Sequence, residues 1–234
     1  MCGIAAWAGA WTTADVHQLL TLAAQRGPHA WGLATARWRH VAIGRYAPPL
    51  PTVPLAGAMI GHTRLATSAD RRSLDAAQPL CTGAVTIAHN GTVEDAAAWN
   101  LPWPSGNDSE VLARWIELND VASLGQLAIS LRRPYALAVL RGEDVWLLRR
   151  RHPLYAAPGR ACSRPFAGAV LLPEDQPIRL DRVGAARNDA PPEPSATPAD
   201  RPIVAGGRRR PAGRPVAAPS KLHSPDAVSQ EVQP

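Results

Sequence analysis

Ten prolines fall within the last 44 residues, 191–234, and no apolar period of 2 or 3.6 survives there. A segment of that composition cannot bury enough apolar surface to offset the entropy of ordering it. Residues 186–234 are therefore expected to form a disordered tail, and any fold must be built from residues 1–185. At 46% hydrophobic and 19% charged residues, the chain has enough apolar material for one core of that size.

Within that body the apolar runs alternate between short strands and a few helices. Residues 2–8 read as a buried strand, and 31–38 with 40–45 as a strand pair. Residues 58–63 and 84–89 are apolar runs that end in polar residues. Val16, Leu19, Leu20 and Ala23 recur at helical spacing over 13–25, with Thr13 as the expected cap. A second helix is expected over 108–118 and a third over 123–131. A hairpin joins 135–140 to 144–149 around Gly142, and strands over 166–172 and 176–183 close the body. Two Pro-rich stretches, 47–54 and 101–107, read as surface loops. This order points to an α+β architecture rather than a parallel βαβ sheet.

The charge is unusual in kind. Of the 25 basic residues, 24 are arginine and one, Lys221, is lysine. A phosphate-binding P-loop and a Schiff-base enzyme both need a lysine amine, so neither chemistry is expected in the body. Three scattered cysteines, Cys2, Cys81 and Cys162, suit neither a disulfide framework nor a zinc site, so no metal is expected. No apolar run reaches about 18 residues and the N-terminus lacks a basic region, so a cytoplasmic protein without membrane contact is expected.

Cys2 stands apart. Small second residues permit removal of the initiator methionine, which would leave Cys2 with its own α-amino group. That amine, of pKa about 7.7–8.0, is the one amine in the body suited to act as a base near neutral pH. A thiol of pKa about 8.5 lies beside it, so nucleophile and base would sit on one residue. A strand-opening, merely buried cysteine is the competing reading.

Five segments bear on that choice. They are Met1-Cys2-Gly3-Ile4, Arg26-Gly27-Pro28-His29-Ala30-Trp31-Gly32, Gly61-His62-Thr63-Arg64-Leu65-Ala66-Thr67, Ala88-His89-Asn90-Gly91 and Asn107-Asp108-Ser109-Glu110-Val111. In type and order they resemble the motifs of the class II, N-terminal-nucleophile glutamine amidotransferases, over about residues 2–183. The resemblance implies a four-layer αββα sandwich of two stacked, mainly antiparallel sheets. It also implies hydrolysis of the L-glutamine side-chain amide through a γ-glutamyl thioester on Cys2, with no cofactor. Asn90 and the Gly91 N–H would hold the oxyanion. Arg64 and Thr67 would hold the substrate carboxylate, Asp108 its ammonium group, and Arg26 would shape the pocket. Asp108 is also placed to cap a helix. The sequence departs from the family pattern at His29, where the motif carries an acid, and at Leu65 and Ser68.

Class II amidotransferases pass ammonia to a second site. About 50 residues after the body are too few for a synthase, so a separate ammonia-accepting synthase or synthetase is the expected partner. Two other readings compete: a hydrolase with an N-terminal cysteine acting on a non-glutamine amide, and a non-catalytic binding module. Arg64 and Asp108 favour glutamine, because an acylase needs no paired carboxylate and ammonium sites. The tail's Arg208-Arg209-Arg210-Pro211 and Arg214-Pro215 form a degenerate minor-groove pattern, so nucleic acid enters only as a tail partner.

Overall fold

The computed structural model describes residues 1–53, 56–66 and 72–183. The expected tail, 186–234, lies outside the described residues. Twelve strands form two sheets among the described residues. The first has the order β11-β9-β10-β1-β4-β2-β3, built from β1 (Gly3–Ala10), β2 (Ala30–Ala34), β3 (Arg39–Ile43), β4 (Ala56–Arg64), β9 (Tyr155–Ala157), β10 (Arg160–Cys162) and β11 (Val170–Leu171). The second has the order β12-β8-β7-β6-β5, from β5 (Leu80–Thr82), β6 (Val85–Asn90), β7 (Tyr135–Arg141), β8 (Asp144–Arg150) and β12 (Ile178–Arg179). All the strand pairs within the sheets are antiparallel.

Strand parity sorts the side chains into layers. On β1, Ala5 and Trp7 face helix α1 (Thr13–Ala24), whose Val16, Leu19 and Leu20 cover that side. Ile4 and Ala6 face the other way and meet Ala88 of β6 and Ala136 and Ala138 of β7. Alanine at these inter-sheet positions lets the two sheets close on each other. On β6 and β7, Ile87, Leu137 and Val139 face outward and pack under α2 (Ser109–Asn119) and α3 (Leu124–Ser130). The layers run α1, first sheet, second sheet, then α2 with α3. This is the expected αββα sandwich.

The departures from the sequence reading are local. The cap of α1 is Thr12 rather than Thr13. Thr12 Oγ1 accepts from Asp15 N at 3.2 Å and Asp15 Oδ2 accepts from Thr12 N at 2.9 Å, a reciprocal box that Thr13 could not make with Val16. The strand expected over 31–38 stops at Ala34, because Thr35 N–H turns back to Trp38 O at 2.8 Å. The strand expected over 166–172 shrinks to Val170–Leu171, since Ala169 N–H closes a turn onto Phe166 O. That over 176–183 keeps only Ile178–Arg179 before a 3₁₀ turn. Strands β5, β9 and β10, three residues each, were not anticipated. Among the described residues no helix is long and apolar enough to cross a membrane.

Candidate active site

The central strands of the two sheets end side by side, and the candidate residues sit at those ends. β1 begins immediately after Cys2, β4 ends at Arg64 and β6 ends at Asn90. β1 and β4 are in register from Gly3 opposite Thr63 onward, so Cys2 and the 64–66 turn are neighbours. Leu65 N–H points at Cys2 Sγ from 3.3 Å. Gly3 allows this closeness: a β-carbon there would lie 2.2 Å from Ala23 O and 2.5 Å from Thr63 Oγ1.

The main chain at Cys2 is gripped from both sides. Arg26 Nε donates to Cys2 O at 3.0 Å, and its Nη1 reaches Ser163 O at 3.4 Å. Ser163 in turn exchanges two bonds with Ile4. Its Oγ accepts from Ile4 N, and its N–H donates to Ile4 O, both at 2.9 Å. From the second sheet, Asn90 Oδ1 accepts from Cys2 N at 2.9 Å. The other end of that amide, Nδ2, is buried and carries no hydrogen-bond partner. Burial raises the Cys2 thiol pKa, while the Leu65 N–H, the N-terminal charge, Arg64 and Arg26 pull it back down.

No family model matches the chain. One curated relative is the isomerizing glutamine–fructose-6-phosphate aminotransferase of Caulobacter vibrioides. It is 33% identical over 148 residues, which is 52% of this chain and 24% of that protein. Two solved structures share the architecture. The glutamine phosphoribosylpyrophosphate amidotransferase of B. subtilis is 19% identical, with a TM-score of 0.56, over 74% of this chain and 44% of that one. An allosteric regulatory enzyme of purine biosynthesis is 17% identical, with a TM-score of 0.53, over 74% of this chain and 45% of that one. The chain shares the fold of these two solved structures. It spans about a quarter of the curated relative's length and under half of the two solved structures.

The remaining candidate residues lie around Cys2 and Asn90 or outside the described residues. Arg64 is 3% exposed and close enough to lower the pKa of both Cys2 and His62 through its charge. Thr67 lies outside the described residues. Arg26 grips the main chain at Cys2 and at Ser163. Asp108 occupies the N-cap position of α2, but its side chain makes no capping hydrogen bond. The Ser109 N–H is taken by Asn107 Oδ1 at 3.0 Å, and Asp108 Oδ2 turns to Val93 N–H at 2.7 Å. Partial burial raises the Asp108 carboxyl pKa, against the hydrogen bonds that lower it. His29, where the family motif carries an acid, accepts from Ala66 N–H through Nδ1 at 2.9 Å while its own N–H donates to Arg64 O. An imidazole nitrogen here holds the 64–66 turn by accepting, as a carboxylate oxygen would.

Behind Asn90 lies a buried polar cluster of His62, Gln78, His89 and Ser109. Burial pushes both imidazoles down to about 3, so each is neutral, and the charge of Arg64 adds to the effect at His62. Three of these residues lie in the motif segments. Gln78 lies in none, and neither does Ser163; a glutamine beside a proline and a serine after a cysteine carry no pattern that marks them.

Proposed function

We propose that the chain hydrolyses the side-chain amide of L-glutamine, with Cys2 as nucleophile. The observation that carries this reading is the pairing of Cys2 with Asn90. The nucleophile's own nitrogen is held at 2.9 Å by Asn90 Oδ1, while Asn90 Nδ2 is buried without a partner. A buried donor left unpaired beside a nucleophile suits an oxygen that becomes charged during the reaction.

In this reading removal of Met1 turns the Cys2 nitrogen from a peptide N–H into an α-amine, still against Asn90 Oδ1. The amine takes the thiol proton, and sulfur attacks the substrate's amide carbon. Asn90 Nδ2 and the Gly91 N–H stabilise the oxyanion. The protonated amine then donates to the leaving nitrogen, ammonia departs, and water resolves the γ-glutamyl thioester to glutamate. Arg64 binds the substrate α-carboxylate, and Thr67 adds a hydroxyl. Asp108 accepts from the α-ammonium group. The ammonia serves an acceptor site outside residues 1–183.

The test is direct. Intact mass should show a chain beginning at Cys2, and glutamine should be converted to glutamate and ammonia. Cys2→Ala should abolish this; undiminished turnover in that variant would overturn the proposal. Arg64→Ala and Asp108→Asn should each raise KM by about tenfold or more, the loss expected when a charged hydrogen-bond partner is removed.

A further inference from the structure

We propose that Gln78 is a positioning residue for the oxyanion hole, its side-chain amide standing in for a missing stretch of strand beside Asn90 and Gly91. The inference rests on the glutaminase reading above and adds a residue that no motif marks.

β5 pairs with β6 from Leu80 opposite Ile87, so the next equivalent partner of His89 would be the main chain of Gln78. The strand begins only at Leu80, and the intervening Pro79 has no N–H to offer a ladder. The Gln78 side chain takes over. Its Oε1 accepts from His89 N at 2.6 Å and its Nε2 donates to His89 O at 3.1 Å. One amide thus satisfies both main-chain groups of the residue that precedes Asn90. Its second N–H reaches Ser109 Oγ at 3.3 Å. The amide orientation follows from the partners, because a flipped amide would set its oxygen against the His89 carbonyl.

Ser109 Oγ in turn pairs with His89 Nδ1 at 2.9 Å. The other ring nitrogen, Nε2, lies directly under Gly91, where an added β-carbon would sit 2.6 Å from it. From the first sheet, His62 Nε2 donates to the same His89 carbonyl at 3.2 Å. The main chain of His89 is therefore held by three side-chain contacts, two from Gln78 and one from His62. Oxyanion donors lose their value when their support lets them drift by a fraction of an ångström. Gln78 touches neither the substrate nor Cys2 and acts entirely through His89.

The experiment uses the full chain with Met1 removed, as wild type, Gln78→Leu and Gln78→Glu. Gln78→Leu removes all three bonds at similar volume. It should lower kcat by about 10–100-fold while KM changes less than about threefold, the pattern of a displaced transition-state donor. Alkylation of Cys2 by iodoacetamide should keep its wild-type rate. Long-range ¹H–¹⁵N spectra should show one fixed His89 tautomer in the wild type and lose that signature in Gln78→Leu. Gln78→Glu keeps the acceptor and loses the donors until the carboxyl is protonated. Its kcat relative to wild type should therefore rise as pH falls. An unchanged kcat in Gln78→Leu, or a ratio for Gln78→Glu that is flat with pH, would overturn the inference. If the wild type releases no glutamate, the proposed function fails separately. Hydrogen exchange then decides: faster exchange at Asn90 and Gly91 N–H in Gln78→Leu supports the positioning role, and unaltered exchange ends it.

Discussion

The two walls of the candidate site are held by different physics. The Cys2 wall, on the first sheet, is fixed by main-chain proximity. Gly3 lies against Ala23 O, Leu65 N–H points at the thiol, and Arg26 and Ser163 grip carbonyls. The Asn90 wall, on the second sheet, is fixed by side chains. Gln78, His62 and Ser109 satisfy His89, and Asn90 Nδ2 is left open. A wall made of packed backbone should respond to added volume. A wall made of buried polar groups should respond to lost donors and to protons.

The largest contrast should come from matched single substitutions. Asn90→Ala removes the acceptor for the Cys2 nitrogen and the open donor together, and should cost about 10²–10³-fold in kcat with the fold retained. Gly3→Ala should instead destabilise the whole body by about 3 kcal/mol, because its new methyl meets Ala23 O rather than a movable side-chain end. Turnover and urea melts of both variants check the pair. A stable but inactive Gly3→Ala, or an unfolded Asn90→Ala, would break the distinction between the walls.

Acid should find the second wall first. His62 and His89 are held near 3 by burial, against an ordinary value of 6.5. The unfolded chain takes up these protons at about 6.5 and the folded chain does not. Their contribution to stability is thus complete above about pH 6.5 and is lost as pH falls toward 3, by up to about 1.4 kcal/mol per pH unit for each ring. Asp15 and Glu110, whose carboxyl pKa values are lowered, add to acid loss only below their ordinary carboxylate range. The loss in the window from about pH 6.5 to 4.5 is therefore that of histidines whose pKa burial lowers, His152 among them, with the raised Asp108 carboxyl opposing it. Denaturation midpoints that stay flat across that window would show that burial is not what keeps the rings neutral.

The same division explains what could be read from the sequence. Apolar runs, 2–8, 58–63, 135–140 and 144–149, mark the central strands, and the motif segments mark Cys2, Arg64, Asn90 and Asp108. Strands β5, β9 and β10 are three residues long and cannot display a period. They pair because longer neighbours offer an edge, which is tertiary information. The supporting residues are hidden for a related reason. Gln78 and Ser163 bind main-chain atoms 11 and 159 positions away. Main-chain partners leave no side-chain signature, so nothing in the sequence ties either residue to the site. The Thr12 cap shows the opposite case. Its partner Asp15 is three residues on, and the box is readable once the pair rather than the single threonine is considered.

The smallest expected effect tests whether the first wall is redundantly held. Ser163 is fully buried, and its hydroxyl is the acceptor for Ile4 N–H. Ser163→Ala strands that N–H in the interior, which should cost about 1–2 kcal/mol of stability. The return bond from Ser163 N–H to Ile4 O is main chain and survives, as does the Arg26 grip on Cys2 O. Cys2 should therefore stay in place, with kcat per folded molecule reduced by less than about threefold, a loss of under one kcal/mol in transition-state terms. A loss as large as that expected for Gln78→Leu would mean that the Cys2 wall depends on side chains as much as the Asn90 wall does. The contrast between backbone and side-chain support would then fall at its weakest point.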